Sequence, residues 1–250
     1  MKKYIISFII IGLFFPSLIF SDTITFKFGE FFPRTNSDLW ETEFDNMDFT
    51  KGDFVSTILG FEYEYNLTRN LSFAFEISSY SRNVSGFYKD WLNIDDFAYP
   101  AGVNEIIDNY GIPISHVFGV SITPIQISFR VSPMGRKARI MPYFGAGLGV
   151  YFWRCKLQGE TPLFDYEHEW YDTDFDVYVY EIWYSDIRDE NNISLGFHGM
   201  AGLMIPFGER LVLIGEFKYS SAKGELEEFL DFEDFDLTSY QISLGIAYRL

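Results

Sequence analysis

The sequence predicts an all-β chain: an eight-stranded antiparallel up-and-down transmembrane β-barrel with short periplasmic turns and long acidic extracellular loops. Three observations carry the prediction. Apolar and polar residues alternate along most of the chain, which is the period of a strand. The connectors between alternating segments are short and long by turns. After the first 21 residues, no apolar run approaches the roughly 20 residues that a spanning helix needs.

The elements follow in order. Lys2 and Lys3 precede the almost wholly apolar stretch Tyr4 to Phe20, with the small Ser21 at the cleavage point. This is the pattern of a secretory signal peptide. Residues 1–21 are therefore read as an export signal and 22–250 as one outer-membrane β-barrel domain. In the first strand, Ile24, Phe26 and Phe28 alternate with Thr25 and Lys27. Leu59, Phe61, Tyr63 and Tyr65 against Gly60, Glu62 and Glu64 form the second, and Leu71, Phe73, Phe75 and Ile77 against Ser72, Ala74, Glu76 and Ser78 the third. The fourth sets Ile125, Ile127, Phe129 and Val131 against Gln126, Ser128 and Arg130. The fifth sets Phe144, Ala146, Leu148, Val150 and Phe152 against Gly145, Gly147, Gly149 and Tyr151. Ile193, Leu195 and Phe197 open the sixth, which continues through Ala201, Leu203 and Ile205. In the seventh, Leu211, Leu213, Phe217 and Tyr219 face away from Glu216 and Lys218, and the eighth carries Tyr240, Ile242, Leu244, Ile246, Tyr248 and Leu250 against Gln241, Ser243, Gly245, Ala247 and Arg249.

Short turns are expected at 66–70, 132–139 and 206–210, and long loops at 34–52, 82–115, 154–192 and 221–237. A soluble barrel of lipocalin type has eight strands too, so the decision rests on which face is apolar. The second face carries Lys27, Glu62, Glu64, Glu76, Arg130, Glu216, Lys218 and Arg249. Four acids and four bases are hard to set against a hydrophobic ligand, but they suit a packed polar lumen in which opposite charges pair. The continuous aliphatic and aromatic face then meets lipid. Tyr63, Tyr65, Tyr219, Tyr248 and Trp153 stand near strand ends, where an interfacial aromatic girdle is expected.

Charge and composition exclude other classes. The chain has 36 Asp and Glu against 19 Lys and Arg, a formal charge of −17, and loses only Lys2 and Lys3 with the signal. Nucleic acid, which is met by clusters of Lys and Arg, is not expected as a partner. The acidity is not that of a disordered chain, because 28 Phe, 17 Tyr and 5 Trp make one residue in five aromatic. The lone Cys155 rules out an intramolecular disulfide framework and a multi-cysteine zinc site. The four long loops together hold 28 acids and eight bases, so the outer end is strongly negative, whereas Arg69, Arg136, Lys137 and Arg139 make the turn end mildly positive. Loop carboxylates such as Asp231, Glu233, Asp234 and Asp236 could recruit Ca²⁺ or Mg²⁺ and bridge to lipopolysaccharide phosphates. Phe229, Phe232 and Phe235, interleaved with them, point to loops that pack.

The motifs that carry chemistry elsewhere fail here. Gly145, Gly147 and Gly149 have a spacing of two with a strand continuing beyond, not the turn and helix of a dinucleotide site. They are read as places where the lumen is too crowded for side chains. Asp172, Asp174 and Asp176 have the opening spacing of a calcium-binding EF-hand, but Val177 replaces the required Gly and Trp183 the required Glu. His116 and His198 lack the His-x-Ser-Asn run of an outer-membrane deacylase, and His168 has no serine partner marked by spacing. No catalytic residue, metal site or cofactor is expected.

The stretch 142–150, PYFGAGLGV, resembles the central strand of the small outer-membrane β-barrel proteins of the OmpA/OmpW-like superfamily, and 215–219, GEFKY, their penultimate strand. The last eight residues, SLGIAYRL, resemble the closing strand read by the barrel-assembly machinery, with Leu250 where an aromatic is usual. The resemblance implies a protein of the cell outer membrane, surrounded by its lipid. It also implies a structural or surface-binding role, with a narrow route for small hydrophobic solutes as one member activity. The alternative it implies is a lipid-modifying outer-membrane enzyme of deacylase or acyltransferase class.

Overall fold

The fold is that of a computed structural model, which describes residues 22–135, 138–226 and 234–250, with 185–187 described by backbone alone. The export signal, Arg136, Lys137, Phe229, Asp231, Phe232 and Glu233 lie outside the described residues.

The chain is almost entirely strand: β1 (Thr23–Pro33), β2 (Ser56–Asn66), β3 (Leu71–Ile94), β4 (Phe97–Pro100), β5 (Ile112–Val131), β6 (Met141–Pro162), β7 (Glu169–Asp172), β8 (Val177–Phe207), β9 (Leu211–Glu225), β10 (Asp234–Asp236) and β11 (Ser239–Arg249). All eleven belong to one sheet, and every pairing is antiparallel. Eight of the strands have neighbours on both edges. The ladder runs β1–β2–β3–β5–β6–β8–β9–β11, and β11 pairs with β1, from Thr23 opposite Arg249 to Pro33 opposite Ser239. The three remaining strands are short and extend the sheet beyond the ring. The count of eleven exceeds the eight expected because β4, β7 and β10, of four, four and three residues, form within the long connectors.

Those connectors are the second departure from expectation. Much of 82–115 and 154–192 is strand: β3 runs 24 residues, β6 22 and β8 31. The reason, in β3, β5 and β6, is an inversion of the polarity pattern partway along the strand. Near the short turns, side chains facing outward are apolar and those facing inward are polar. Further along β3, the inward residues become Tyr80, Val84 and Tyr88, all buried, while Ser81, Asn83 and Ser85 face out. On β5 the inward residues become Phe118, Val120 and Ile122, and on β6 Trp153, Cys155 and Leu157. Alternation persists, but its phase flips, so the sequence signal breaks where the strand does not.

The upper interior thereby acquires a hydrophobic core of the kind found in soluble proteins. A helix, α1 (Asp38–Asn46), enters it from the β1–β2 connector and buries Leu39, Trp40 and Glu43. The Trp40 ring lies 4.8 Å from Phe54, 5.1 Å from Phe118 and 5.5 Å from Phe235, in edge-on and stacked arrangements that aromatic pairs favour. Its indole N–H donates to the Asp236 carbonyl at 3.3 Å. The chain after α1 then covers the edge that β3 leaves open above β2. Met47 bridges to Tyr88, the Asp48 N–H donates to the Phe87 carbonyl, and the Tyr80 hydroxyl donates to the Phe54 carbonyl at 2.6 Å. A short second helix, α2 (Glu105–Tyr110), sits in the β4–β5 connector.

Candidate functional site

The interior below the aromatic plug is charged. Strand alternation turns Lys27 of β1, Glu62 of β2, Glu76 of β3, Arg130 of β5, and Glu216 and Lys218 of β9 inward, where each is at most 4 % exposed. Lys27 Nζ donates to Glu62 at 2.7 Å, to Glu76 at 2.7 Å and to Glu216 at 2.9 Å. Arg130 donates to both Glu62 oxygens, through Nη1 at 2.6 Å and through Nη2, and its Nη2 reaches Glu216 at 3.2 Å. Lys218 bonds to Glu76 and stands 3.7 Å from Glu216. Three cations thus meet three carboxylates in one connected cluster. This is the arrangement in which buried charge is tolerable, since each ion is paired and its remaining valences are hydrogen-bonded.

The two other residues on the expected polar face lie nearer the turn end. Glu64 accepts from the Ser72 hydroxyl, one step nearer the turn end. Arg249 is half-buried beside Met141, with Nη2 3.9 Å from Sδ.

Neutral residues complete the cluster. The Tyr143 hydroxyl donates to Glu216 at 2.6 Å, and its ring lies 5.1 Å from the Arg130 guanidinium. Gln126 accepts from Lys218 at 3.0 Å and donates to the Tyr151 hydroxyl at 2.9 Å. Ser128 Oγ and His198 Nε2 are 2.8 Å apart, both about 1 % exposed. The glycines of β6 stand opposite these side chains. A Cβ at Gly145 would come within 2.9 Å of Arg130 Cγ, and one at Gly149 within 3.0 Å of Gln126 Cγ. At Gly147 it would lie 1.9 Å from the Ile127 carbonyl oxygen and 2.8 Å from the His198 ring.

The same architecture recurs in solved structures. OprG, an outer membrane protein from Pseudomonas aeruginosa, matches with a TM-score of 0.50 at 13% identity, covering 92% of this chain and 96% of that one. The Neisserial surface protein A matches at 0.47 and 11% identity, covering 92% and 97%. The N-terminal β-barrel domain of OprF from Pseudomonas aeruginosa matches at 0.42 and 10%, covering 92% and 97%. The likeness to OprG shows the fold, that of an outer-membrane β-barrel. That fold agrees with the location expected, the cell outer membrane. No protein-family model and no curated protein sequence matches the chain.

Several residues that build the interior were not singled out as site residues in the sequence. Gln126 and Ser128 alternate with Ile125 and Ile127, so their face was legible, but an uncharged side chain gives no sign of its bonding role. Tyr143 and His198 carry no signal of their own. Trp153 is a correction: it is 2 % exposed rather than interfacial, its indole N–H donates to Ser194 Oγ at 2.9 Å, and its ring packs 5.5 Å from Phe235. The phase of β6 dictates this, since Phe152 faces outward. Tyr63 and Tyr248 do lie at the turn end, where Tyr63 donates to Asp22 at 2.5 Å and Tyr248 accepts from Arg210 at 2.6 Å.

The long-loop end is acidic and self-bonded. Asp172 accepts from the N–H groups of Asp174 and Phe175 and from the Tyr99 hydroxyl at 2.8 Å. The Tyr99 bond holds the Asp172 carboxyl below its usual range, while burial, chiefly, pushes Tyr99 up to about 12. Asp176 accepts from Tyr171. Asp234 pairs with Lys223 at 2.5 Å, and Asp236 accepts from the N–H groups of Asn36 and Thr238. Among the described residues, no group of three or more His, Cys, Asp or Glu is disposed to hold a metal ion. His116 lies under α1, with Nε2 2.9 Å from Glu43 Oε2, and His168 is bonded to Asp165 at 2.6 Å in an exposed turn.

Proposed function

We propose that this protein is an eight-stranded transmembrane barrel whose interior is closed, and that it works from its surface, as a structural or binding protein of the outer membrane. On this reading the ring of eight long strands crosses the bilayer, the three short strands and both helices stand outside, and the 67–70, 132–140 and 208–210 turns face the periplasm with both chain ends. The carrying observation is the cluster of Lys27, Arg130, Lys218, Glu62, Glu76 and Glu216. It spans the lumen from strands on opposite sides, at most 4 % exposed, beneath a second barrier of packed aromatic rings. Eight strands leave an interior just wide enough for side chains. Outward-facing residues such as Phe28, Phe61, Phe75, Ile127, Leu148 and Leu244 are between 46 and 72 % exposed, as a lipid-facing surface requires.

The test is electrical. Folded protein in planar bilayers should show no large, stable conductance, and steady single-channel currents of porin size would refute the closed interior. The lipid-modifying alternative draws little support from the Ser128–His198 pair, because both members are sealed inside the barrel.

One observation favours a narrow side route as a second reading. β8 and β9 pair only from Gly196 opposite Ala222 towards the short turn; beyond that point β9 continues with β10, and β8 with β4, β6 and β7. A groove of about 710 Å³ opens at this parting, with Leu195 and Phe197 on one side and Arg34, Asp38 and Lys223 on the other. Accumulation of a small apolar dye in proteoliposomes, lost when Ala222 is replaced by Trp, is expected if solutes pass there.

A further inference from the structure

Beyond the ring, the ends of β3 and β8 pair with β4 and β7 to form a four-stranded lobe. One face of the lobe is a core, in which Tyr99, Val177 and Val179 are buried with Ile107 of α2. The other face carries rings. Tyr178 and Tyr180 are two residues apart on β8, so both point to this side, and on β7 they stand opposite Tyr171 and Glu169. The Tyr171 and Tyr178 rings lie 5.0 Å apart. Tyr180, Trp91 and Phe164 form a triangle with centroids 5.2 to 5.3 Å apart. Phe164, Tyr171 and Tyr178 are 48, 48 and 57 % exposed, a contiguous apolar surface of the kind that marks an interaction site.

The rings stand among carboxylates. Residues 89–110 and 160–184, which build the lobe, hold thirteen Asp and Glu against one Lys and one His. Both bases are already engaged: Lys89 donates to the carbonyls of Phe44 and Asp45, and His168 is bonded to Asp165. The two carboxylates bonded to the aromatic face meet neutral donors. Glu169 accepts from the Tyr180 hydroxyl at 2.9 Å and Asp176 from the Tyr171 hydroxyl. Among the described residues neither is paired with a cation, so their charge is not cancelled and each keeps lone pairs for a further donor.

We propose that this face docks a basic, extended polypeptide segment, whose Lys or Arg side chains lie across Tyr171 and Tyr178 with their charges at Glu169 and Asp176. The aliphatic stems of such side chains cover rings, their heads are attracted to ring faces, and their N–H groups make charge-assisted bonds to carboxylates. Charge complementarity selects this occupant. Nucleic acid or a sulfated glycan would be repelled, a neutral sugar would use the rings without the carboxylates, and a divalent ion the carboxylates without the rings. The inference deepens the reading of the protein as one that works from its surface, and rests on it.

The experiment titrates the folded barrel, in micelles of an uncharged detergent, into a fluorescein-labelled peptide of alternating Arg and Ser and reads the fluorescence anisotropy. The peptide should bind, and its counterpart with Glu in place of Arg should not. Tyr178→Leu keeps apolar area but removes the ring, and Glu169→Gln keeps an acceptor for Tyr180 but removes the charge. Each should weaken binding about threefold, and the two together about tenfold. Tyr178→Phe keeps the ring and should bind as the wild type does, as should Tyr110→Leu, whose exposed ring lies on α2. No binding by the wild type, binding undiminished by the double substitution, or binding that dextran competes away or Ca²⁺ abolishes at constant ionic strength would each overturn the proposal. Failure of the surface-protein reading would appear separately, as steady conductance of porin size from the wild type in planar bilayers.

Discussion

Replacing Lys27 with methionine should be among the most damaging single changes in the lumen. The substitution keeps the length of the side chain and deletes its charge. Lys27 Nζ contacts three carboxylates at 2.7 to 2.9 Å. At an effective dielectric near 20, each such contact is worth about 6 kcal/mol in gross Coulomb energy, most of which is offset by the cost of burying the ions. The loss is therefore better taken from the ions left behind. Arg130 still holds Glu62 through two bonds and Lys218 still holds Glu76, but Glu216 keeps only the 3.2 Å contact to Arg130, the 3.7 Å contact to Lys218 and the Tyr143 hydroxyl. The cluster passes from neutral to one net negative charge without access to water. Removing one partner from a buried ion pair costs about 3–5 kcal/mol, and we expect Lys27→Met to fall in that range. Adding Glu216→Gln should restore at least half of the loss, since an amide still accepts from Tyr143 and the cluster is neutral again. Urea unfolding of the barrel in vesicles, followed by the gel shift between folded and unfolded forms, measures both. A single variant within about 1 kcal/mol of wild type, or a double variant less stable than the single, would refute the reasoning.

Two further outcomes are expected. Gly147→Ala should sharply reduce the yield of folded barrel, because its Cβ would overlap the Ile127 carbonyl, whereas Gly199→Ala, with no neighbour nearer than 4.0 Å, should stay within about 0.5 kcal/mol of wild type; gel-shift folding assays compare them. His168 should titrate above the usual histidine range, because its ring is hydrogen-bonded to Asp165, and Asp165→Asn should bring it back down in NMR titrations. The signs of the two shifts set a window: the pair favours the folded turn while Asp165 is ionised and His168 protonated, and that contribution is lost as pH rises through the raised value of His168 and as it falls through the lowered value of Asp165.

What the sequence determines by itself is the wall near the short turns. There, an apolar outer face and a charged inner face give opposite chemistry to odd and even positions, so Phe26, Phe61, Phe75 and Phe129 could be told from Lys27, Glu62, Glu76 and Arg130 by alternation alone. The three short turns follow from the same pattern. The upper half of the molecule was not legible in this way. Above the apolar belt the wall separates water from a hydrophobic core, so the phase of alternation inverts and strands read as loops, and Trp153 reads as interfacial when it is interior. Which charges meet is likewise a matter of tertiary structure. Lys27 and Glu216 are 189 residues apart, and they come within 2.9 Å only because β11 closes against β1 and brings β9 round to it. Alternation assigns a residue to a face, but ring closure and register choose its partner. For the same reason Gln126, Tyr143 and His198 take places that no motif in the sequence marks.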